Sequence, residues 1–334
     1  MHNSLFRTLC ALALICTGCP DNSSPSPWIY PHDDQLRLHH VQLKATHNSY
    51  HLEPETPLHY SHRYSHLPLD RQLDEQAVRA MEIDIHYKSS GAPIKVLHLG
   101  LVDENTSCPT LTDCLRTIKG WSDTHRDHLP IMVWLEFKSG SDGAETEVLQ
   151  NVERVVKGIF PPDQLLTADV VKGDYDSVRQ ALTEEGWPVL GTIRGRVAII
   201  AMNSSGTVSR AYLDLHPRGL GGVLFTTPAT IFEFDEPWVA FTKFNSPHAT
   251  QGIAAAVERR ILVASNVCLA DHSDEECRQR EEAALTNGVT MLKVDFPAPV
   301  EDREYWLGFP KGAPARCNPL TAPQVCTAEA LEHL

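Results

Sequence analysis

Two kinds of apolar pattern alternate along this chain of 334 residues. Short runs rich in Val, Ile and other apolar residues are typical of buried strands, whereas apolar residues that recur every three or four positions are typical of amphipathic helices. The first pattern predicts strands at residues 41–46, 81–86, 131–137, 165–170, 197–202, 240–244, 261–266 and 291–296. The second predicts helices at residues 69–79, 111–124, 145–159, 177–185, 252–260 and 275–287. This alternation indicates a parallel sheet, and its eight strands predict an α/β protein with a single TIM-type (β/α)8 barrel.

The predicted strand at residues 81–86 carries two acidic residues where a buried strand needs apolar side chains. Glu82 and Asp84 are two positions apart and therefore share one face of the strand, while Ile83 and Ile85 share the other. Adjacent carboxylates repel each other unless a positive group lies between them, and a hard cation with oxygen ligands meets that need. An exposed edge strand with one polar face is the alternative interpretation.

Polar residues also lie where other predicted strands end. Because the carboxyl ends of parallel barrel strands meet at one rim, we expect these side chains to converge with Glu82 and Asp84. They are His47, Asn48, His98, Glu136 and Lys138.

This set of side chains suggests a chemistry for the rim. The carboxylates of Glu82, Asp84 and Glu136, together with the amide oxygen of Asn48, suit Ca²⁺, which takes several oxygen ligands. The two histidines titrate near neutral pH and can therefore transfer protons.

The charge of the chain limits its possible partners. The formal net charge is −14, and the sequence has no basic patch. A nucleic-acid-binding protein that follows phosphates needs the opposite charge, so we expect no nucleic-acid partner. An acidic surface instead favours an exported protein that tolerates cations.

The first residues resemble a bacterial lipoprotein signal. Arg7 precedes a short apolar run at residues 9–15, which ends before Gly18 and the lipid-accepting Cys19. This predicts a signal peptide at residues 1–19, a flexible tether at residues 20–38 and a lipid-anchored, non-spanning protein of the outer membrane or cell surface. Cleavage by the ordinary signal peptidase, giving a soluble secreted protein, is the alternative.

The cysteines support export. Of nine cysteines, Cys10, Cys16 and Cys19 belong to the signal, and an even number of six remains. In an exported chain these are best interpreted as disulfides that close small loops. The predicted pairs are Cys108 with Cys114, Cys268 with Cys277, and Cys317 with Cys326.

The ordered set of motifs resembles the calcium-dependent phosphatidylinositol-specific phospholipase C enzymes of bacteria, which are barrel relatives of the catalytic domain of eukaryotic phosphoinositide phospholipases C. The matching segments are residues 46–50 (THNSY), 69–74 (LDRQLD), 81–84 (MEID), 96–98 (VLH) and 128–138 (HLPIMVWLEFK). Each motif alone is weak, but their order and spacing agree over residues 41–140. The resemblance implies a PLC-like phosphodiesterase barrel, here residues 39–334, with no second domain.

The resemblance also implies a role for each matching residue. The implied calcium ligands are Asn48, Glu82, Asp84 and Glu136. The implied acid/base pair is His47 and His98, and Lys138 is implied to contact the phosphate. The partner it implies is a phospholipid headgroup at a membrane surface, and we expect the chain to act as a monomer.

Two positions depart from the family pattern. Asn266 ends the seventh predicted strand where relatives have an arginine, and Lys293 lies in the eighth where they have small hydroxyl residues. Both are predicted to face the phosphate or the inositol hydroxyls, with a solvated lysine as the alternative for Lys293. His59, His62 and His66 are interpreted as part of a surface or substrate-side loop rather than a metal site.

These expectations lead to three functional hypotheses. The first is calcium-dependent attack of the inositol 2-hydroxyl on the phosphodiester, giving a cyclic inositol phosphate and diacylglycerol, with the acid and base roles of the histidines left open. The second is a glycerophosphodiester or other phospholipid phosphodiesterase of the same superfamily; those relatives carry His-Arg-Gly where this chain has His47, Asn48 and Ser49. The third is a non-catalytic lipoprotein that binds calcium and a headgroup.

Overall fold

The structure is a computed structural model that describes residues 29–88, 91–138, 144–202 and 205–332. Its strands are β1 (Val41–Thr46), β2 (Ala80–His86), β3 (Lys95–Val96), β4 (Ile131–Phe137), β5 (Val197–Met202), β6 (Leu224–Thr226), β7 (Phe241–Phe244), β8 (Leu262–Cys268), β9 (Met291–Val294) and β10 (Ala315–Cys317). Its α-helices are α1 (Leu69–Asp74), α2 (Leu111–Thr124), α3 (Glu145–Ile159), α4 (Ala168–Lys172), α5 (Val178–Glu184), α6 (Leu190–Ile193), α7 (Thr207–Leu215), α8 (Thr250–Glu258) and α9 (Asp274–Thr286).

Eight of these strands form a nearly closed parallel barrel. Their order is β6-β5-β4-β2-β1-β9-β8-β7, and within the described ranges no pairing joins β6 to β7. The short strands β3 and β10 pair antiparallel with β2 and β1. The prediction of a single TIM-type (β/α)8 barrel is confirmed, with one open seam.

Successive side chains along a strand point alternately outward and inward, which gives one apolar layer between strands and helices and another inside the barrel. Ile83 and Ile85 of β2 pack outward against the helices. Inside the barrel an apolar layer includes Trp134, Phe241 and Met291. The charged side chains lie above this layer, at the carboxyl ends of the strands, where side chains can reach solvent and substrate.

The predicted strands at residues 41–46, 131–137 and 197–202 are confirmed with the same bounds. The strand predicted at residues 165–170 is wrong, because Thr167 accepts a hydrogen bond from the amide of Val170 and begins helix α4. Strands β4 and β5 instead pair directly, and the eighth barrel strand is β6, which pairs with the other edge of β5, has only three residues and was not predicted.

The predicted tether ends earlier than expected. Residues 29–38 lie against the barrel: Leu36 and Leu38 are fully buried, and Asp33 accepts from Arg194 at 2.8 Å. The boundary at residue 38 therefore requires correction, since the folded part begins before it. The signal and its Cys19 lie outside the described residues.

The three predicted cysteine pairs form disulfides in the structure: Cys108–Cys114, Cys268–Cys277 and Cys317–Cys326. Such bonds are typical of exported proteins. Among the helices of the described ranges, none combines the length and the apolar character needed to cross a membrane.

Candidate active site

Three carboxylates converge at the carboxyl end of the barrel. The parallel register places Asp84 of β2 opposite Glu136 of β4, and Glu82 points the same way as Asp84 because it is two residues earlier. Each of the three offers an oxygen within 4.8 Å of the others. Glu82 and Asp84 have no exposed surface. Asn48 is also buried, and the next amide along the chain, that of Ser49, donates to the carbonyl of Glu82 at 2.8 Å.

Three lysines surround these acids. Lys243 Nζ lies 2.9 Å from Glu82 Oε1 and 3.5 Å from Glu136 Oε2. Lys138 Nζ lies 2.7 Å from Glu136 Oε1 and 3.3 Å from Asp84 Oδ2. The fully buried ammonium of Lys293 donates to Glu82 Oε2. The three negative charges are therefore met by three positive ones.

The lysines compensate the charges of the three acids unequally. Burial would raise the pKa of Glu82, but Lys243 and Lys293 hold it well below its ordinary value. Burial raises the pKa of Asp84 to about 6, because the neighbouring carboxylates add to the effect and Lys138 only partly opposes it. Both oxygens of Asp84 also lack a hydrogen-bond partner among the described residues. Asp84 is thus the member of the cluster with the greatest need for another cation.

One of the two predicted histidines is held by an aspartate that the sequence analysis did not single out. His47 Nδ1 lies 3.0 Å from Oδ1 of Asp295, whose Oδ2 accepts from the amide of Ala270 at 2.8 Å. Burial lowers the pKa of His47, but the negative charges of Asp295 and Glu82 outweigh this and raise it above the ordinary histidine value.

The second predicted histidine is held in the same way. His98 Nδ1 lies 2.8 Å from Oδ2 of the buried Asp103, which also lies 3.0 Å from Nε2 of His51. The hydrogen bonds from the two histidines hold the pKa of Asp103 below its ordinary value against the effect of burial. His98 is thus oriented by a carboxylate that remains ionised.

A row of packed rings joins the two histidine–aspartate pairs. The ring of His98 lies 6.2 Å from that of His51, which stacks on Tyr64 at 4.2 Å. Tyr64 meets His66 at 5.2 Å, and His66 Nε2 donates to the carbonyl of His47 at 2.8 Å. The loop that carries His62 and His66 therefore lies on the site, which agrees with its interpretation as a substrate-side loop.

The structure brings most of the predicted residues together. His47, Asn48, Glu82, Asp84, Glu136, Lys138, His98 and Lys293 lie at this end of the barrel. Asn266 of β8 is opposite Lys293, and its buried Oδ1 has no hydrogen-bond partner within the described ranges. Lys293 is enclosed and bound to Glu82, so neither a direct headgroup contact nor a solvated position describes it.

Three residues at the site were not predicted. Asp295 lies near the end of the last predicted strand, and a carboxylate at that position could have indicated a site residue. Lys243 interrupts an apolar run in β7, a weaker signal. Asp103 reaches His98 through a tight loop in which its amide donates to the carbonyl of Leu99 at 2.8 Å, a contact that no sequence pattern shows.

Comparison with known proteins identifies the family. The sequence model of one family, described as "Phosphoinositide phospholipase C, Ca2+-dependent", matches residues 88–319, which is more than half of the chain. The chain belongs to this calcium-dependent phosphoinositide phospholipase C family. It is therefore an enzyme of the phosphoinositide phospholipase C type. No curated protein sequence matches the chain.

Solved structures share the fold. A calcium-dependent phosphoinositol-specific phospholipase C from a Pseudomonas species superposes with a TM-score of 0.63 at 18% identity, covering 87% of this chain and 98% of the other. A Ca²⁺-dependent phosphatidylinositol-specific phospholipase C from Streptomyces antibioticus gives a TM-score of 0.58 at 16% identity, covering 78% and 95%.

Calcium is the cofactor of the family, and the acid cluster fits it. The three carboxylates are hard oxygen donors, which Ca²⁺ prefers. Asp84 Oδ2 lies 3.3 Å from Lys138 Nζ, but neither oxygen of Asp84 has a hydrogen-bond partner among the described residues, so both have capacity to bind an ion. The phospholipase C family and its calcium dependence thus agree with the side chains present.

The contact between Asp295 and His47 predicts that removing the aspartate's charge changes the pKa of His47. Asp295 stabilises the imidazolium form, so Asp295→Asn should lower the pKa of His47, and the ring should lose its proton at a lower pH than in the wild type. Histidine ring NMR signals followed through a pH titration measure this. Asp123→Asn, which changes a surface carboxylate paired with Lys119, is the control and should have no effect. A pKa of His47 that stays or rises in Asp295→Asn would contradict the assignment.

Proposed function

We propose that this enzyme cleaves the phosphodiester of phosphatidylinositol-type lipids by attack of the inositol 2-hydroxyl, releasing a cyclic inositol phosphate and diacylglycerol. The observation that carries the proposal is the pair of aspartate-bound histidines, His47 with Asp295 and His98 with Asp103, beside one acid cluster. In a reaction with one proton removed and one proton delivered, one such group can act as the base and the other as the acid.

Each histidine presents one ring nitrogen to the substrate. Because Nδ1 donates to an aspartate in both, Nε2 is left for proton transfer, and neither Nε2 hydrogen-bonds a residue of the described ranges. His47 accepts the proton of the 2-hydroxyl, since Asp295 stabilises the imidazolium that forms. His98 donates its proton to the departing diacylglycerol oxygen. No covalent enzyme intermediate is required, because the nucleophile belongs to the substrate.

The acid cluster supplies the metal site of this proposal. Glu82, Asp84 and Glu136, which offer oxygens within 4.8 Å of one another, would hold the ion together with the buried Asn48. When bound, calcium supplies positive charge that lowers the pKa of the 2-hydroxyl and stabilises charge on the phosphate. Lys138 is part-exposed at the same end of the barrel, so its ammonium is placed to contact a phosphate oxygen.

Exposed apolar side chains around the site support a membrane-bound substrate. We call them the rim residues; they are Leu58, Tyr60, Leu99, Leu101, Val102, Ile231, Phe232, Val300 and Trp306. Six of them lie in loops that follow the carboxyl ends of the parallel strands β1, β6 and β9, hence on the face that carries the site. The other three, Leu99, Leu101 and Val102, lie between His98 and Asp103, which contact each other at the site. Leu101 is 99% exposed and Phe232 is 91% exposed, so both side chains are available to enter a lipid surface.

The sequence-based expectations about location remain part of the proposal. We propose that the chain is cleaved between Gly18 and Cys19 and that Cys19 accepts the lipid, so that the single catalytic domain, a monomer, is held at the outer membrane or the cell surface. The disulfides support export.

A lipid panel tests the proposed reaction. The protein is incubated with vesicles of phosphatidylinositol, phosphatidylcholine or phosphatidylglycerol and with soluble glycerophosphodiesters, with calcium or with a chelator, and the products are identified by mass. We expect cyclic inositol phosphate and diacylglycerol from phosphatidylinositol, with calcium only. Products from another lipid or from glycerophosphodiesters would identify the second hypothesis, and no product at all would leave the non-catalytic one.

The same assay tests the histidines. His47→Ala and His98→Ala should each lower turnover at least about a hundredfold, because each removes one proton transfer. Circular dichroism should show that the fold is kept. His32→Ala, at an exposed position in the N-terminal segment, is the matched control. Near wild-type turnover in either active-site variant would rule out this mechanism.

The rim residues predict a dependence on the lipid surface. Leu101→Ser with Phe232→Ser should lower cleavage of vesicle phosphatidylinositol at least about tenfold, since each buried apolar side chain contributes roughly 1.5–3 kcal/mol. Cleavage of a short-chain, monomeric phosphatidylinositol should stay within about twofold. Leu320→Ser is the control: this exposed residue contacts Gly288 near the amino end of β9. Equal losses on both substrates would show that the rim does not bind lipid.

A further inference from the structure

The charge balance of the acid cluster is unusual for a site that takes a divalent cation. Both oxygens of Glu82 are bound by ammonium groups, Oε1 by Lys243 and Oε2 by Lys293. Both oxygens of Glu136 are also close to lysines, Oε1 to Lys138 and Oε2 to Lys243. In two of the three carboxylates, both oxygens are therefore already engaged by positive groups that belong to the chain, whereas Asp84 has one oxygen near Lys138.

Lys243 is the one lysine that bridges Glu82 and Glu136, and it has room to move. Its side chain is 17% exposed, and it lines a cavity of about 370 Å³ together with Glu136, Thr227 and Asn245. Lys293, in contrast, has no exposed surface and lies inside the barrel. A lysine ammonium on a flexible four-carbon stem can exchange one anionic partner for another at little conformational cost.

A divalent ion and Lys243 compete for the same oxygens. With Lys243 in place, the cluster has three negative and three positive groups, so an added Ca²⁺ would leave two uncompensated positive charges. An anionic phosphodiester in the adjoining cavity offsets one of these charges and offers the ammonium a new partner. The geometry thus links the binding of the metal to the binding of the substrate.

We propose that Lys243 is an internal counter-ion. In the free enzyme its ammonium pairs with Glu82 and Glu136, and as calcium binds the ammonium moves to pair with the phosphodiester. This inference rests on the proposed function, because it takes the acid cluster as the calcium site. It makes calcium and the anionic phosphate bind cooperatively, and by linkage each must strengthen the binding of the other by the same factor.

Calcium binding measured by isothermal titration calorimetry tests the inference without any turnover. The probe pair is Ca²⁺ with and without saturating inositol 1-phosphate, on chelator-treated protein. In the wild type, the calcium dissociation constant should fall at least tenfold when inositol 1-phosphate is present. In Lys243→Gln, calcium should bind at least tenfold more tightly without inositol 1-phosphate, and the gain from adding it should be lost.

Two further variants separate charge from structure. Lys243→Arg keeps the charge and should bind calcium no more than about threefold more tightly than the wild type does. Lys119→Gln removes a lysine from a surface pair with Asp123 and should match the wild type. Wild-type or weaker calcium affinity in folded Lys243→Gln overturns the inference, as does a tenfold gain in Lys243→Arg. If Lys243→Gln is unfolded without calcium, two other measurements test the inference. They are the calcium affinity of Lys243→Arg and the effect of inositol 1-phosphate on calcium binding in the wild type.

The two proposals can fail separately. Cooperative calcium and inositol phosphate binding without cleavage of phosphatidylinositol would remove the proposed reaction and keep the role of Lys243. Calcium-dependent cleavage with a calcium affinity that neither inositol 1-phosphate nor Lys243→Gln changes would keep the reaction and remove that role.

Discussion

The mutual repulsion of three carboxylates at the mouth of the barrel is the constraint on which the site depends. Two unit charges about 4 Å apart interact by roughly 4 kcal/mol at an effective dielectric constant of about 20, so Glu82, Asp84 and Glu136 cannot remain ionised together without nearby cations. Lysines from three strands or strand ends meet that need. Burial, with the help of the neighbouring carboxylates, still raises the pKa of Asp84, so this is the acid that an added cation would stabilise most.

Carboxylates also act on the two histidines that the proposed mechanism uses, His47 and His98. Asp295 and Asp103 each fix one histidine through Nδ1 and leave Nε2 available. The ring packing from His98 through His51, Tyr64 and His66 keeps the two pairs at one rim. Apolar side chains surround this rim, so a polar, strongly charged site lies within a surface suited to lipid. In the proposed mechanism, the fold therefore places the charged cluster, the two histidines and the membrane-contacting side chains on one face of the barrel.

Sequence patterns predicted the barrel and most of the cluster because strand alternation decides which residues share a face. Glu82 and Asp84 could be placed together on that ground alone. The helix at Ala168–Lys172 was mistaken for a strand, since a short β-branched run does not distinguish a buried helix from a strand. Lys243 and Asp103 were missed because their roles depend on tertiary contacts: one on which strand lies across the barrel, the other on how one loop folds back.

The most direct test of this account is a calcium titration of the chelator-treated protein by isothermal calorimetry, in saturating inositol 1-phosphate, for the wild type and Asp84→Asn. Asp84 has the carboxylate whose oxygens lack hydrogen-bond partners in the described part of the chain. The account predicts one calcium per chain in the wild type and at least about hundredfold weaker binding in folded Asp84→Asn. Equal stoichiometry and affinity in the two proteins would contradict it.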